Sequence, residues 1–355
     1  MRLVALWAVL FAVYVAGIGI DPRSGDELVH LRIAHTLARD GEIDDAPQGA
    51  GFALLITPAR ELGGARAVEL ILAAVAALGF VLAALLARRI VPEPYASAGA
   101  GLAGLSPPAI AHAGGIYPEL TAGALLAGAA LCAVSAREHP RAGPALGGGA
   151  MLALLPWLNP LFVIPALPVA YALYVWCKGG RRPLLGLLAV ELIGGSLVFY
   201  ATLNERLYGG PTPWSANPPG VTATGALTAT DYIERVPRLV IAPAELLLWA
   251  PAFALALFAG WLLFRSQRTG LARVVSARAS AEAAATLALA IVACQLLVAA
   301  FLVPAVATRH FAGLHLAPAL PAAGALVAWG LRHAPRAAAV LGALTLAASV
   351  WVLVR

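Results

Sequence analysis

The side chains best equipped for proton chemistry stand close together in one run, Ser24 to Asp40, which reads SGDELVHLRIAHTLARD and is followed by Gly41. Asp26 and Glu27 set two carboxylates side by side, and His30 comes four residues after Asp26. Carboxylates and an imidazole are the groups that take and give protons near neutral pH. The run has the signals of a helix: Ser24 and Glu27 have capping-box spacing, and Gly41 suits a left-handed C-terminal cap. At 100° per residue, Val29, Ile33 and Leu37 share a face with Asp26 and His30, while Arg32, His35, Thr36 and Arg39 take the other. A short amphipathic helix lying on a membrane would turn that acid and that imidazole inward. The plainer alternative is that both acids complement the macrodipole and cap free amides, and that His30 only packs its ring on protein.

The surroundings that must position these groups are a lipid bilayer. Of the residues, 61% are hydrophobic and only 12% are charged, and the mean hydropathy is +0.84; a soluble domain of this length needs far more surface charge. A span requires roughly 20 apolar residues. Such runs cover residues 3 to 20, 66 to 87, 95 to 113, 116 to 136, 143 to 158, 160 to 177, 183 to 203, 239 to 264, 280 to 303, 311 to 331 and 337 to 354. The first reads as a span rather than a cleaved signal, because the small-residue cleavage pattern is missing. The expected architecture is all-α: one membrane domain over residues 1–355, a polytopic bundle of about eleven spans.

Short loops rich in Arg and Lys stay on the cytoplasmic side. With Met1 and Arg2 inside, the inner loops hold Arg88, Arg89, Arg137, Arg141, the 178–182 run, the 265–278 run, Arg332 and Arg336. Outside fall residues 21–65, with one or two amphipathic surface helices, residues 204–238, and a short stretch around Arg309. Most acids lie there too, so the expected location is a plasma membrane with any active site extracytoplasmic.

Several function classes drop out. The net charge of +6 belongs mainly to inner loops facing anionic lipid, and the basic residues are not interleaved with aromatics, so nucleic acid is not an expected partner. Cys132, Cys177 and Cys294 are too scattered for a disulfide framework or a metal site. There is no phosphate-binding Gly-rich loop and no zinc spacing. No cofactor is indicated, although a divalent metal stays open. Glu191, near the middle of a run, is expected to be buried and hydrogen-bonded or protonated.

In arrangement and in several short motifs the chain resembles the polytopic GT-C glycosyltransferases, which take a sugar from a polyprenyl-phosphate carrier. The likeness lies in Gly25-Asp26-Glu27 running to Asp40-Gly41, Tyr117-Pro118-Glu119, Pro156-Trp157-Leu158-Asn159, the stretch from Glu205 to Tyr208-Gly209, Ala242-Pro243 through Ala250-Pro251, and Arg309-His310-Phe311. His30 stands where many relatives carry Tyr, and Asn159 where His is frequent.

The resemblance implies an inverting transfer to an acceptor hydroxyl on a lipid, glycan or protein. Asp26, with Glu27 beside it, would be the general base, its affinity for protons raised by partial burial. Arg309, helped by His310, would neutralise the phosphate leaving group. His30, Tyr117, Glu119, Trp157, Asn159 and Trp214 would contact substrate, with Trp214 and Tyr232 able to stack on a sugar ring. Plainer alternatives stand beside these: Arg309 snorkelling to headgroups, Glu119 as an acid in a Pro-bounded helix start, and residues 204–238 as a connector with a belt aromatic. Two rival functions predict different features. A secondary transporter would show two similar halves and ionisable residues at depth, of which Glu191 is the one strong candidate. A membrane scaffold would leave the outward acids merely solvated.

Overall fold

The computed structural model describes residues 2–19, 25–41, 50–139, 141–180, 182–211, 233–266, 280–302 and 312–354, and every regular element among them is helical. In chain order the helices are α1 (Arg2–Gly17), α2 (Gly25–Asp40), α3 (Ala50–Ala87), α4 (Tyr95–Gly104), α5 (Pro107–Ala113), α6 (Glu119–Glu138) and α7 (Ala142–Leu158). They continue with α8 (Val163–Gly179), α9 (Pro183–Tyr208), α10 (Arg238–Trp249), α11 (Ala254–Ser266), α12 (Ser280–Leu297), α13 (Leu320–His333) and α14 (Pro335–Val354). Short 3-10 turns precede α8, α11 and α13, and a π-helical turn, Val298–Leu302, follows α12. Six stretches are long and apolar enough to cross a membrane: Gly51–Ala87, Glu119–Glu138, Pro160–Gly179, Pro183–Leu207, Ser280–Leu302 and Pro335–Val354. Arg2–Gly17, Ala142–Leu158 and Pro251–Leu263 are shorter apolar helices. Each of the eleven runs expected from hydropathy contains a helix, and the molecule is a multi-pass membrane bundle.

α3 is two helices joined at Gly63 and Gly64, and Gly64 has φ 64 and ψ −158, a conformation that a Cβ would strain. The half before this kink lies beside α2, so the first long connection carries a pair of helices before the chain enters the bundle.

Helices broken inside a bilayer must find partners for the backbone groups they free, since no water is there to supply them. At the α4–α5 break the Tyr14 hydroxyl donates to Gly104 O at 2.9 Å, and the Ser349 hydroxyl donates to Leu105 O. At the break between α10 and α11 the Ala252 N–H donates to Thr345 Oγ1 at 2.9 Å. Packing rests on small residues that let backbones touch. A Cβ on Gly99 would come within 2.4 Å of the α13 backbone at Ala328.

α9 corrects one expectation. It turns Ala189 and Tyr200, both buried, toward the bundle, and Ser196 bonds to α7. Glu191 lies about 200° around the helix from Ala189, and it is exposed rather than buried. An all-round apolar helix does not announce which side its neighbours will cover, so the sequence left this open.

Candidate functional site

α2 is an amphipathic helix with both acids in its first turn, and its buried stripe is Glu27, His30, Ile33 and Ala34. Glu27 is only 5% exposed. Its Oε1 accepts the Ile116 N–H at 2.7 Å, and its Oε2 accepts the Tyr117 hydroxyl at 3.4 Å. Both partners belong to the turn between α5 and α6. Gly115 makes the approach possible, because a Cβ there would stand 2.8 Å from Glu27 Oε1 and 2.5 Å from the Tyr117 ring. Glu27 therefore pins α2 to the bundle through a charge-assisted hydrogen bond, a contact worth about 1.5–3 kcal/mol.

Asp26 differs from expectation. The helical wheel sets it between His30 and Ile33, yet its side chain is exposed. The buried stripe Glu27, His30, Ile33 and Ala34 centres about 50° around the helix from Asp26, which therefore falls at its edge. The partial burial expected of this carboxylate is absent. Asp26 still acts through space on Glu119, which opens α6. One carboxylate oxygen of Glu119, Oε2, is buried without a hydrogen-bond partner among the described residues.

Several other groups were not singled out from sequence. The His112 Nδ1 donates to Pro108 O at 3.1 Å, and its ring centroid stands 5.5 Å from that of Tyr117. His315, in the 3-10 turn Ala312–Ala319, is close enough to act on His112 electrostatically, and its carbonyl accepts from Gln295 Nε2 at 2.8 Å. Two histidines inside apolar runs were the available signal, since ionisable groups at such places are rarely idle. Arg235 is 8% exposed and donates to Phe301 O at 2.6 Å, and Arg238 sits near enough to feel its charge. This arginine pair lies in a connector that offered no periodic pattern to mark it.

A second group adjoins the first through α2. The His30 ring meets Phe52 edge-on, centroids 4.8 Å apart, and burial lowers its pKa to about 4. Beside Phe52, Gly51 packs directly on the backbone of Trp157; a Cβ there would be 2.2 Å from the Trp157 carbonyl oxygen. Trp157 Nε1 donates to Ser196 Oγ at 2.9 Å, and its ring leans on Phe199 and Tyr200. Asn159 Oδ1 accepts the Leu161 N–H at 2.9 Å, capping the 3-10 turn before α8. Glu27, Tyr117, Glu119 and Asp26 thus form one cluster, while His30 packs on Phe52 at the start of α3, whose neighbour Gly51 meets Trp157 near the end of α7. Trp214, Arg309 and His310 lie outside the described residues. Among the described residues no three His, Cys, Asp or Glu side chains converge as a metal site would require.

No protein-family model and no curated protein sequence matches the chain. Solved structures do. ArnT from Cupriavidus metallidurans in the apo state aligns with a TM-score of 0.63 at 18% identity, over 95% of this chain and 61% of that one. The same protein bound to undecaprenyl phosphate gives 0.61 at 16% identity, with the same coverage. This chain shares their fold. The oligosaccharyltransferase of Archaeoglobus fulgidus, in complex with Zn and sulfate, aligns at 0.51 and 13% identity over 97% of this chain and 53% of that one. The chain therefore spans about three-fifths of the length of ArnT. The shared part is the helical bundle.

Proposed function

We propose that this chain is a membrane glycosyltransferase that moves a sugar from a polyprenyl-phosphate carrier to an acceptor hydroxyl on a lipid, glycan or protein. One observation carries the reading. On the fold shared with an ArnT structure bound to undecaprenyl phosphate, the buried Glu27 anchors the start of α2 and leaves the neighbouring Asp26 exposed beside Glu119.

In the proposed step, Asp26 takes the proton of the acceptor hydroxyl as that oxygen attacks the anomeric carbon. The bond from that carbon to the carrier phosphate oxygen breaks, and the phosphate leaves with the electron pair. A single displacement of this kind inverts the configuration. Arg309, with His310 beside it in sequence, meets the charge developing on the phosphate. Glu119 and Tyr117 bind sugar hydroxyls. His30, Trp157, Asn159 and Trp214 line the way in. The site opens on the extracytoplasmic face of a plasma membrane.

Donor recognition is open to direct test. Purified protein in detergent should bind a polyprenyl phosphate, and Arg309→Ala should weaken that binding about ten- to a hundredfold, the effect of losing a charge-assisted phosphate contact. Undiminished binding by the variant would remove Arg309 from the donor site.

A further inference from the structure

Glu191 is exposed on α9, whose outward side is otherwise apolar from Leu184 to Val198. Leu184 is 73% exposed and Val198 67%, and both lie on the Glu191 side of the helix, away from the buried Ala189 and Tyr200. At 1.5 Å per residue, Glu191 stands about 12 Å from the start of α9 at Pro183. That depth is well inside the hydrocarbon layer. A carboxyl facing lipid there is costly, and such groups are normally paired or turned into a protein interior. Here the bundle's own interior is on the opposite side.

Two further observations concern what could cover it. Gly194 and Gly195, one turn beyond Glu191, leave open space around the position a Cβ would take. They form a flat strip on which another helix backbone can settle, and small residues of this kind are how helices approach in lipid. In the described helices other than α2 and the first half of α3, the Arg and Lys residues stand at or near helix ends: Arg66 just after the α3 kink, and Arg2, Arg137, Lys178, Arg206, Arg238, Arg265, Arg332 and Arg336 within a turn of a terminus. Among the described residues, a second copy of this chain therefore offers no cation in the middle of a bundle helix to meet Glu191.

We infer that the Glu191–Gly194–Gly195 face of α9 docks a transmembrane helix of a partner protein that carries a Lys or Arg at the depth of Glu191. Charge complementarity names the occupant: the carboxylate meets an ammonium or guanidinium, and both leave lipid together while the glycines admit the partner backbone. This face lies apart from the α2 cluster, so the inference stands independently of the glycosyl-transfer reading.

The test uses the full chain, labelled with a fluorophore at its N-terminus and reconstituted in phosphatidylcholine vesicles, with a quencher-labelled single-span Leu/Ala peptide carrying one Lys about 12 Å from its cytoplasmic boundary. The same peptide with Leu in place of Lys is the control. The Lys peptide should quench at lower peptide-to-lipid ratio than the Leu peptide. Glu191→Leu should weaken Lys-peptide binding roughly three- to thirtyfold and leave the Leu peptide unaffected. Gly195→Ile, which keeps the carboxyl, should also weaken the Lys peptide. Equal binding of the two peptides, or Lys-peptide binding that ignores Glu191→Leu, overturns the inference. Self-association of the protein that depends on Glu191 overturns it in favour of a second copy.

Discussion

At the scale of single residues, the first turn of α2 divides its labour. Glu27 is buried and occupied by Ile116 N–H and Tyr117, whereas Asp26 is exposed beside Glu119. The sequence marked both acids, but it could not say which would be buried. That depends on which side of α2 the α5–α6 turn meets, and on Gly115 leaving room for the Glu27 carboxylate. His30 yields a pH prediction. Burial holds its pKa at about 4, below the ordinary histidine value of 6.5. Its neutral form is favoured on folding, so its contribution is fully present above about pH 6.5 and is lost as pH falls toward 4. At pH 5 the loss amounts to about 2 kcal/mol. Thermal unfolding in detergent should therefore shift downward between pH 7 and pH 5. His30→Phe should shrink that shift, and Glu27→Gln, on the same buried stripe, should be run beside it to separate the carboxylate's part. An unchanged pH response in His30→Phe would mean that burial of this ring does not govern acid stability.

At the scale of elements, hydropathy located the helices because lipid demands long apolar runs, and each expected run does hold a helix. It did not locate the breaks. Gly63 and Gly64 split α3, and the α10–α11 junction needs Thr345 from a helix some ninety residues later, a contact no local pattern records. Thr345→Val keeps the side-chain shape but strips the Ala252 N–H of its acceptor. A buried amide left unpaired costs about 1–3 kcal/mol, more than the roughly 0.6 kcal/mol average for hydrogen bonds between membrane helices. The larger figure applies where no alternative partner is within reach, as at a helix break. Thr345→Val should thus lower thermal stability clearly while Thr345→Ser stays near the parent. Equal stability of all three would show that the break is held by packing alone. Glu191 teaches the same lesson in another form: its depth could be read from sequence, but the side it faces is set by the contacts of α9.

At the scale of the whole molecule, the membrane bundle follows from composition and spacing, because a chain with 61% hydrophobic residues has few soluble alternatives. Half of the candidate site was legible in the same way: Asp26, Glu27, Tyr117 and Glu119 do gather at one end of the bundle. His112 and His315 were not legible, since only folding brings α5 and the turn before α13 together beside Tyr117. Orientation in the membrane has its own check. A cysteine replacing Asn217 should react with an impermeant thiol reagent outside cells, one replacing Gly180 should not, and the reverse pattern would turn the molecule over.

The central claim is sugar transfer with Asp26 as the base, and turnover of a polyprenyl-phosphate sugar by purified protein measures it. Asp26→Asn should cut the rate on the order of 10² to 10⁴ while thermal stability and donor binding stay near the parent, because Asp26 is exposed and its size is kept. Glu27→Gln, assayed alongside, should lose stability through the Ile116 contact and activity only in step with folded protein. Full turnover by Asp26→Asn, or a loss that merely tracks unfolding, would contradict the assignment and leave the acids of α2 as structural groups on a membrane scaffold.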